Sequence, residues 1–255
     1  MRYFLSVAYM GTRYAGFQVQ DGQETIQSQV TKALETLFRV PFSLTGSSRT
    51  DAGVHAEENY FHFDTDHQLT LKHQYNLNAI LPSDIAIKGI YRVEETAHCR
   101  FDAVERKYKY LIHNKKDPFL TQRSWLYPYP LDRIVLNRLS EVLLTYTDFT
   151  SFSKRNTQVY TYNCEIREAS WEDLVGGGLG FHISSNRFLR GMIRGIVGTM
   201  IRIARAGVTI EEAEELFRNI IEAKDCSRAD FTTPAYGLYL MEVRYPEGMM
   251  QALSE

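Results

Sequence analysis

The side chains most able to do chemistry crowd into one short polar stretch, Gly46-Ser47-Ser48-Arg49-Thr50-Asp51-Ala52-Gly53-Val54-His55-Ala56. Its small residues let a ligand come close to the backbone. Arg49 and Asp51 stand two apart, so in an extended loop their side chains point the same way. At ~4 Å and an effective dielectric near 20, such a pair attracts by about 4 kcal/mol before desolvation is subtracted. That pairing would hold Asp51 ionised, and an ionised carboxylate shielded from water suits a nucleophile or a base. Asp-Ala-Gly is equally the sequence of an Asx turn, the structural alternative at this position. His55 is read as a hydrogen-bond partner that fixes the loop, and His62 as structural.

A second concentration is one of charge. No acidic residue occurs from Val175 to Ile210, and within that span lie Arg187, Arg190, Arg194, Arg202 and Arg205. On a continuous helix at about 100° per residue, the five arginines fall within an arc of roughly 120°. Phe188, Leu189, Met192, Ile193, Ile196, Met200 and Ile203 take the opposite side. An ordinary solvated helix mixes signs and gains i,i+4 pairs. An acid-free stripe forgoes that help and suits a polyanion, whose phosphates set register and affinity rather than sequence choice. Gly176-Gly177-Gly178 and Gly180 lie between two strands and read as a hairpin turn rather than a phosphate cradle.

These groups need a scaffold. The chain has 255 residues, 29 Lys+Arg against 31 Asp+Glu, and 44% hydrophobic residues, the composition of an ordinary globular protein. No run approaches the ~18 apolar residues of a membrane span. The amino terminus alternates like a strand and lacks a cleavable signal, so a cytoplasmic location is expected. Cys99, Cys164 and Cys226 stand far apart, which gives neither a CxxC metal knuckle nor a disulfide framework. The 16 Tyr and 14 Phe supply either a larger core or flat faces for stacking.

Periodicity predicts strands over 2–9, 59–63, 85–93 and 107–112, with a helix over 25–39 between the first two. It then predicts a helix over 131–146, strands over 162–171 and 180–184, helices over 187–205 and 210–223, and a last strand over 236–245. This is an α+β pattern of two similar sheet-and-helix halves. Pro118, Pro128 and Pro130 mark a seam. The expected organisation is an amino-terminal half over 1–114 carrying the Asp51 loop, a connecting segment over 115–130, and a carboxy-terminal half over 131–255 carrying the basic helix.

Ser48-Arg49-Thr50-Asp51-Ala52-Gly53-Val54-His55-Ala56 resembles the GRTDAGVHA motif of the tRNA pseudouridine synthase A family. Tyr9 to Gln20 is similar to that family's YDGxxYxGxQxQ segment, and Asn76 to Ile85 to its NxxLPxDI element. Ala97-His98-Cys99-Arg100-Phe101-Asp102-Ala103 resembles HARFSA, with RxYxY following at Arg106, Tyr108 and Tyr110. Asp148 to Phe152 matches outright. Phe188 to Gly198 is similar to FLxxMVRxIVG, Ala223-Lys224-Asp225 to AKD, and Thr233 to Leu240 to TAPAxGLYL. The motifs follow family order across nearly the whole chain.

The resemblance implies a cofactor-free and metal-free isomerase that turns uridines of the tRNA anticodon stem-loop, positions 38–40, into pseudouridines. It implies two ferredoxin-like halves sharing one continuous, mainly antiparallel sheet with helices packed on one face, and a homodimer that binds tRNA. By resemblance Asp51 is the catalytic aspartate, Tyr108 packs against the target base, Arg49 and Arg194 are basic active-site positions, and Leu238 is an apolar wall. Arg13, Arg187, Arg190, Arg202 and Arg205 are the expected RNA contacts. Tyr110 is read as pointing to the opposite strand face and packing there, and His98 as an RNA contact or a cap for the loop before Phe101.

Several positions depart from the family pattern, among them Arg190-Gly191, which replaces a more usual His-Asn-like pair and adds positive charge. Ser48 replaces a glycine, which would strain the loop if that position needs a positive φ. Met10 replaces an aspartate, and Glu57 and Glu58 bring two negative charges beside the loop, which would disfavour close phosphates. Two other readings compete: an RNA-binding protein on this scaffold that no longer catalyses, or a synthase acting on a different RNA. A carboxylate-dependent glycosidase or nucleoside hydrolase, with Glu57 or Glu58 as second carboxylate, ranks below both.

Overall fold

The computed structural model describes residues 1–155 and 159–253. The chain forms two compact units, one of Met1–Glu105 with Tyr239–Glu255, the other of Arg106–Leu238.

The first unit runs β1 (Arg2–Tyr9), α1 (Ile26–Phe38), β2 (Thr45–Gly46), β3 (His55–Asp64), α2 (Leu71–Ile80) and β4 (Ile85–Val93). Its strands lie in the order β4-β1-β3-β2, all antiparallel. This βαββαβ succession is the ferredoxin-like arrangement. The sequence sets α1 at both ends: Thr25 accepts the Ser28 N–H, the Ser28 hydroxyl reciprocates to the Thr25 N–H, and Arg39 closes the helix in the left-handed region. Ile26, Val30, Ala33 and Leu34 are buried, as are Leu5, Phe17, Phe61 and Phe63. Phe17 and Phe61 stack at 4.3 Å, a geometry that adds to area burial. Periodicity did not foreshadow α2, whose one buried side chain is Leu77.

Between β1 and β3 the register slips. Val7 stands opposite Asn59 but Tyr9 opposite Ala56, so β3 carries one residue more than its partner there. Such an extra residue bends a strand and re-aims its side chains. It falls at Glu57-Glu58, next to the loop that carries Asp51.

The second unit contains β5 (Glu105–His113), which starts on the last residue of the first, then β6 (Trp125–Leu126), α3 (Arg133–Leu143), β7 (Ile166–Asp173), β8 (Leu179–Ser185), α4 (Met192–Ala204) and α5 (Ile210–Glu222). Here β5, β8 and β7 form an antiparallel sheet, with β6 parallel to β5. Residues 115–130, read from sequence as a connector, lie inside this unit, where they include β6. After α5 the chain supplies β9 (Leu238–Arg244) and β10 (Gln251–Ala252). In the first unit β9 runs parallel to β3, with His55 opposite Tyr239, and β10 pairs with β4. The α+β class is that expected, with mostly antiparallel pairing.

Two expectations are corrected. The helix expected over 187–205 begins only at Met192, because Gly191 stands at its N-cap with φ 75° and breaks the α path. Arg187 and Arg190 therefore precede α4, and the five arginines do not share one helix face. Tyr110 does not point away from Tyr108: residues two apart share a strand face, and both rings lie on the buried side of β5 while Lys107 and Lys109 face the other way.

Candidate active site

In the first unit, each side of the Asp51 loop is tied down. The Thr50 carbonyl accepts the Phe17 N–H at 3.1 Å, and the Thr50 hydroxyl meets the Tyr9 hydroxyl at 2.8 Å. Beyond Asp51 the chain turns at Ala52-Gly53, closed by the Val54 N–H donating to the Asp51 carbonyl at 3.2 Å. Gly53 has φ 82°, as a turn with a left-handed third residue requires. His55, fully buried, accepts the Gly11 N–H at Nδ1 (3.0 Å) and packs on Tyr239 at 4.6 Å, the loop-fixing role read from sequence. Gly11 has no room for a side chain, since a Cβ would collide with the Val54 carbonyl.

The charges around Asp51 differ from the expected clamp. Arg49 is exposed and, among the described residues, makes no hydrogen bond or ion pair, so it does not clamp Asp51. Thr50, between them, is buried, and a chain that points Thr50 inward turns Arg49 out. Asp51 itself is half-buried. Ser48 lies outside the positive-φ region, so replacement of glycine does not strain the backbone; its buried hydroxyl has no hydrogen-bond partner among the described residues. Glu58 accepts the Val243 N–H at 3.2 Å, and burial raises its pKa against that bond. Its carboxylate is thus spent on holding β9, while Glu57 is exposed. At the Met10 departure the backbone N–H donates to the Asp84 carbonyl. Asp84 also accepts the Tyr14 hydroxyl at 2.6 Å and pairs with Arg13 at 3.4 Å.

In the second unit, Tyr108 is buried with its ring edge-to-face on Phe188 at 5.1 Å. Tyr110 donates its hydroxyl to the Pro234 carbonyl at 2.8 Å, and burial lifts its pKa above the usual tyrosine value against the opposing charge of Arg194. Arg194, in the first turn of α4, donates through Nε and Nη2 to the Thr233 carbonyl at 2.8 and 2.6 Å; the Thr233 hydroxyl returns a bond to the Arg194 carbonyl. This exchange fixes the segment leading to Leu238, which is buried. The remaining arginines have separate fates. Arg202 donates to the Arg228 carbonyl at 2.6 Å, and Arg205 sits over the Tyr129 ring at 4.3 Å. Arg187 is half-buried and Arg190 exposed.

Among the described residues, one cluster has the composition of a metal site: His62, His98 and Cys99, with ligand atoms within 4.8 Å of one another. Hydrogen bonds already engage these atoms. His98 Nδ1 accepts the Arg100 N–H at 3.1 Å and so caps that loop. His62 Nδ1 accepts the Cys99 N–H at 3.3 Å, and Cys99 Sγ donates to the Thr45 carbonyl at 3.2 Å. Burial, with the like charges of His98 and Arg2, pushes the His62 pKa down to about 4. All three cysteines are free thiols, and among the described residues no helix is long and apolar enough to cross a membrane.

Each unit thus holds a part of the sequence motifs in a fixed local setting, and comparison with known proteins gives the class. A family model described as tRNA pseudouridine synthase matches residues 146–246. The chain is 42% identical over 248 residues to tRNA pseudouridine synthase A of Parabacteroides distasonis, covering 96% of each chain. It is 41% identical to that of Porphyromonas gingivalis, covering 97% of this chain and 98% of the other. To proteins of the same name from two Staphylococcus aureus strains it is 32% identical, covering 97% of this chain and 93% and 92% of theirs. The chain belongs to the tRNA pseudouridine synthase A family.

Proposed function

We propose that this protein isomerises uridine to pseudouridine in the anticodon stem-loop of tRNA, at positions 38–40, with Asp51 as the reacting carboxylate and no cofactor. Near-full-length identity to tRNA pseudouridine synthase A carries the reading. The reaction breaks N1–C1′, turns the uracil and joins C5 to C1′; C5 loses a proton and N1 gains one, so the composition of the nucleoside is unchanged. No redox equivalent or phosphate donor enters. Asp51 adds covalently to the nucleoside or takes a sugar proton, and both routes need its carboxylate held in place, which the tethers on Thr50 and Val54 favour.

The other assignments follow by role. The target base leaves its stack at a cost of a few kcal/mol. Stacking on Tyr108 returns about 1–3 kcal/mol of it. Leu238 supplies an apolar wall that retains the detached uracil, and Arg49 and Arg194 supply positive charge to the reacting nucleotide. Arg13, Arg187, Arg190, Arg202 and Arg205 are assigned to phosphates. The protein is assigned to the cytoplasm, as a homodimer. Mapping pseudouridine in unmodified tRNA incubated with the purified protein alone tests the reading: modification at 38–40 without added cofactor is expected, and none at all would refute it.

A further inference from the structure

Strand β2 pairs with β3 for two residues, Thr45 with His62 and Gly46 with Phe61, and the Ser47 N–H then donates to the Tyr60 carbonyl at 2.8 Å. The next rung would join Ser48 to Asn59. The backbone of β3 does not make it; the Asn59 side chain does. Asn59 Nδ2 donates to the Ser48 carbonyl at 2.8 Å, and Oδ1 accepts the Ser48 N–H at 3.2 Å, so one carboxamide bonds both backbone groups of one loop residue. The same Oδ1 accepts the Tyr60 N–H at 2.9 Å, and Nδ2 reaches the Tyr9 hydroxyl at 3.2 Å. Tyr9 in turn meets the Thr50 hydroxyl, adjacent to Asp51. Asn59 is wholly buried, and the extra residue in β3 immediately before it is what re-aims its side chain.

We propose that Asn59 is a positioning residue for Asp51: its carboxamide extends the β2–β3 ladder by one rung and, through Tyr9 and Thr50, sets the path of the chain into the aspartate. The role rests on the reading of Asp51 as the reacting carboxylate. A buried amide with all its bonds made is stiff, since no rotation keeps both the donor and the acceptor contacts. Removing half of it leaves a buried carbonyl unpaired and lets the loop drift, and a displacement near 1 Å of a reacting group costs as much as about a hundredfold in rate.

The test is steady-state turnover of full-length unmodified tRNA by the full chain carrying Asn59→Asp, which keeps an acceptor and loses the donor. Its kcat is expected to fall about 30- to 100-fold with KM within about twofold of wild type. A purely structural role would lower the unfolding midpoint and leave kcat per folded molecule intact. If Asn59→Asp does not fold, Tyr9→Phe takes its place, with kcat expected to fall about five- to tenfold at unchanged KM. A folded variant with wild-type kcat, or one that raises KM alone, overturns the proposal. Wild type and Asp51→Ala assayed alongside separate the two failures. A silent wild type or an active Asp51→Ala removes the reading of Asp51, whereas an Asp51-dependent enzyme indifferent to Asn59→Asp removes the positioning role alone.

Discussion

The loop around Asp51 and the arginine-bearing stretch from Arg187 to Arg205 were the two chemically dense parts of the sequence, and they are built on opposite principles. In the loop, the polar groups are bonded to backbone or to buried side chains: the Thr50 carbonyl to the Phe17 N–H and its hydroxyl to Tyr9, the Gly11 N–H to His55, the Val54 N–H to the Asp51 carbonyl. In the basic stretch the arginines divide. Arg194 and Arg202 spend their donors on carbonyls, Arg205 lies on a tyrosine ring, and Arg190 is exposed. Rigidity in the first region serves a group that must be placed. Positive charge near phosphates acts over several ångströms and tolerates movement. Dense chemistry in a sequence therefore marks two different things, and burial tells them apart.

The strongest way to break that contrast is at Asp51 itself. Asp51→Ala is expected to lower kcat at least about a thousandfold, some 4 kcal/mol of barrier, with tRNA affinity within a few-fold of wild type. Retained turnover would mean that the best-tethered loop is not the reacting one. A pair of glycines sharpens the same contrast through stability. Gly11→Ala drives a Cβ into the Val54 carbonyl, a backbone atom that cannot step aside, and is expected to cost about 3 kcal/mol or more in urea unfolding. At Gly191 the nearest atoms belong to the flexible Lys154 side chain, at 3.1 Å, so Gly191→Ala carries mainly the positive-φ penalty of about 1–2 kcal/mol. Equal losses would show that both regions are equally rigid.

The strand behind the loop gives a pH signature. His62 has its pKa lowered from 6.5 to about 4, by burial first and then by His98 and Arg2, against the pull of Asp64 and Asp102. A group lowered on folding stabilises the native state above its unfolded pKa and loses that contribution as pH falls toward the folded value. Unfolding free energy should therefore drop by up to ~3 kcal/mol between pH 6.5 and 4 on His62's account. His62→Gln should flatten that part of the profile, and an unchanged slope would mean that the imidazole charges freely in the folded protein.

Much of this was legible in residues. Strands β1 and β4 fall at the boundaries their alternation predicts, and α1 within a residue of its expected ends, because local pattern and local caps agree there. The motif containing Asp51 pointed to the loop, but not to its bonding. That Asn59, eight residues downstream of Asp51, would complete a ladder depends on the register slip just before it, which no short-range pattern encodes. The expected Arg49–Asp51 clamp is absent because Arg49 turns out to solvent while Asp51 is half-buried at the entry to the Ala52-Gly53 turn, where two-residue alternation does not hold. The long basic helix failed at Gly191: an apolar period continued through 188 and 189, while the backbone had already left the α region.

That early helix start sharpens the last and smallest contrast, among the arginines themselves. Salt dependence counts phosphates neutralised, at a slope of about −0.7 to −0.9 for each. Arg190 stands exposed before α4, whereas Arg202 holds the Arg228 carbonyl and Arg205 covers Tyr129. Arg190→Glu is expected to weaken tRNA binding at low salt by about 1 kcal/mol and to cut the slope of log K against log salt by about one. Arg202→Glu should change the slope less and the unfolding midpoint more, because it gives up a bond to a backbone carbonyl. Were the two variants to lose the same slope at the same stability, a guanidinium bound to a carbonyl would be as available to phosphate as an unengaged one, and the division within the basic stretch would be one of geometry without consequence.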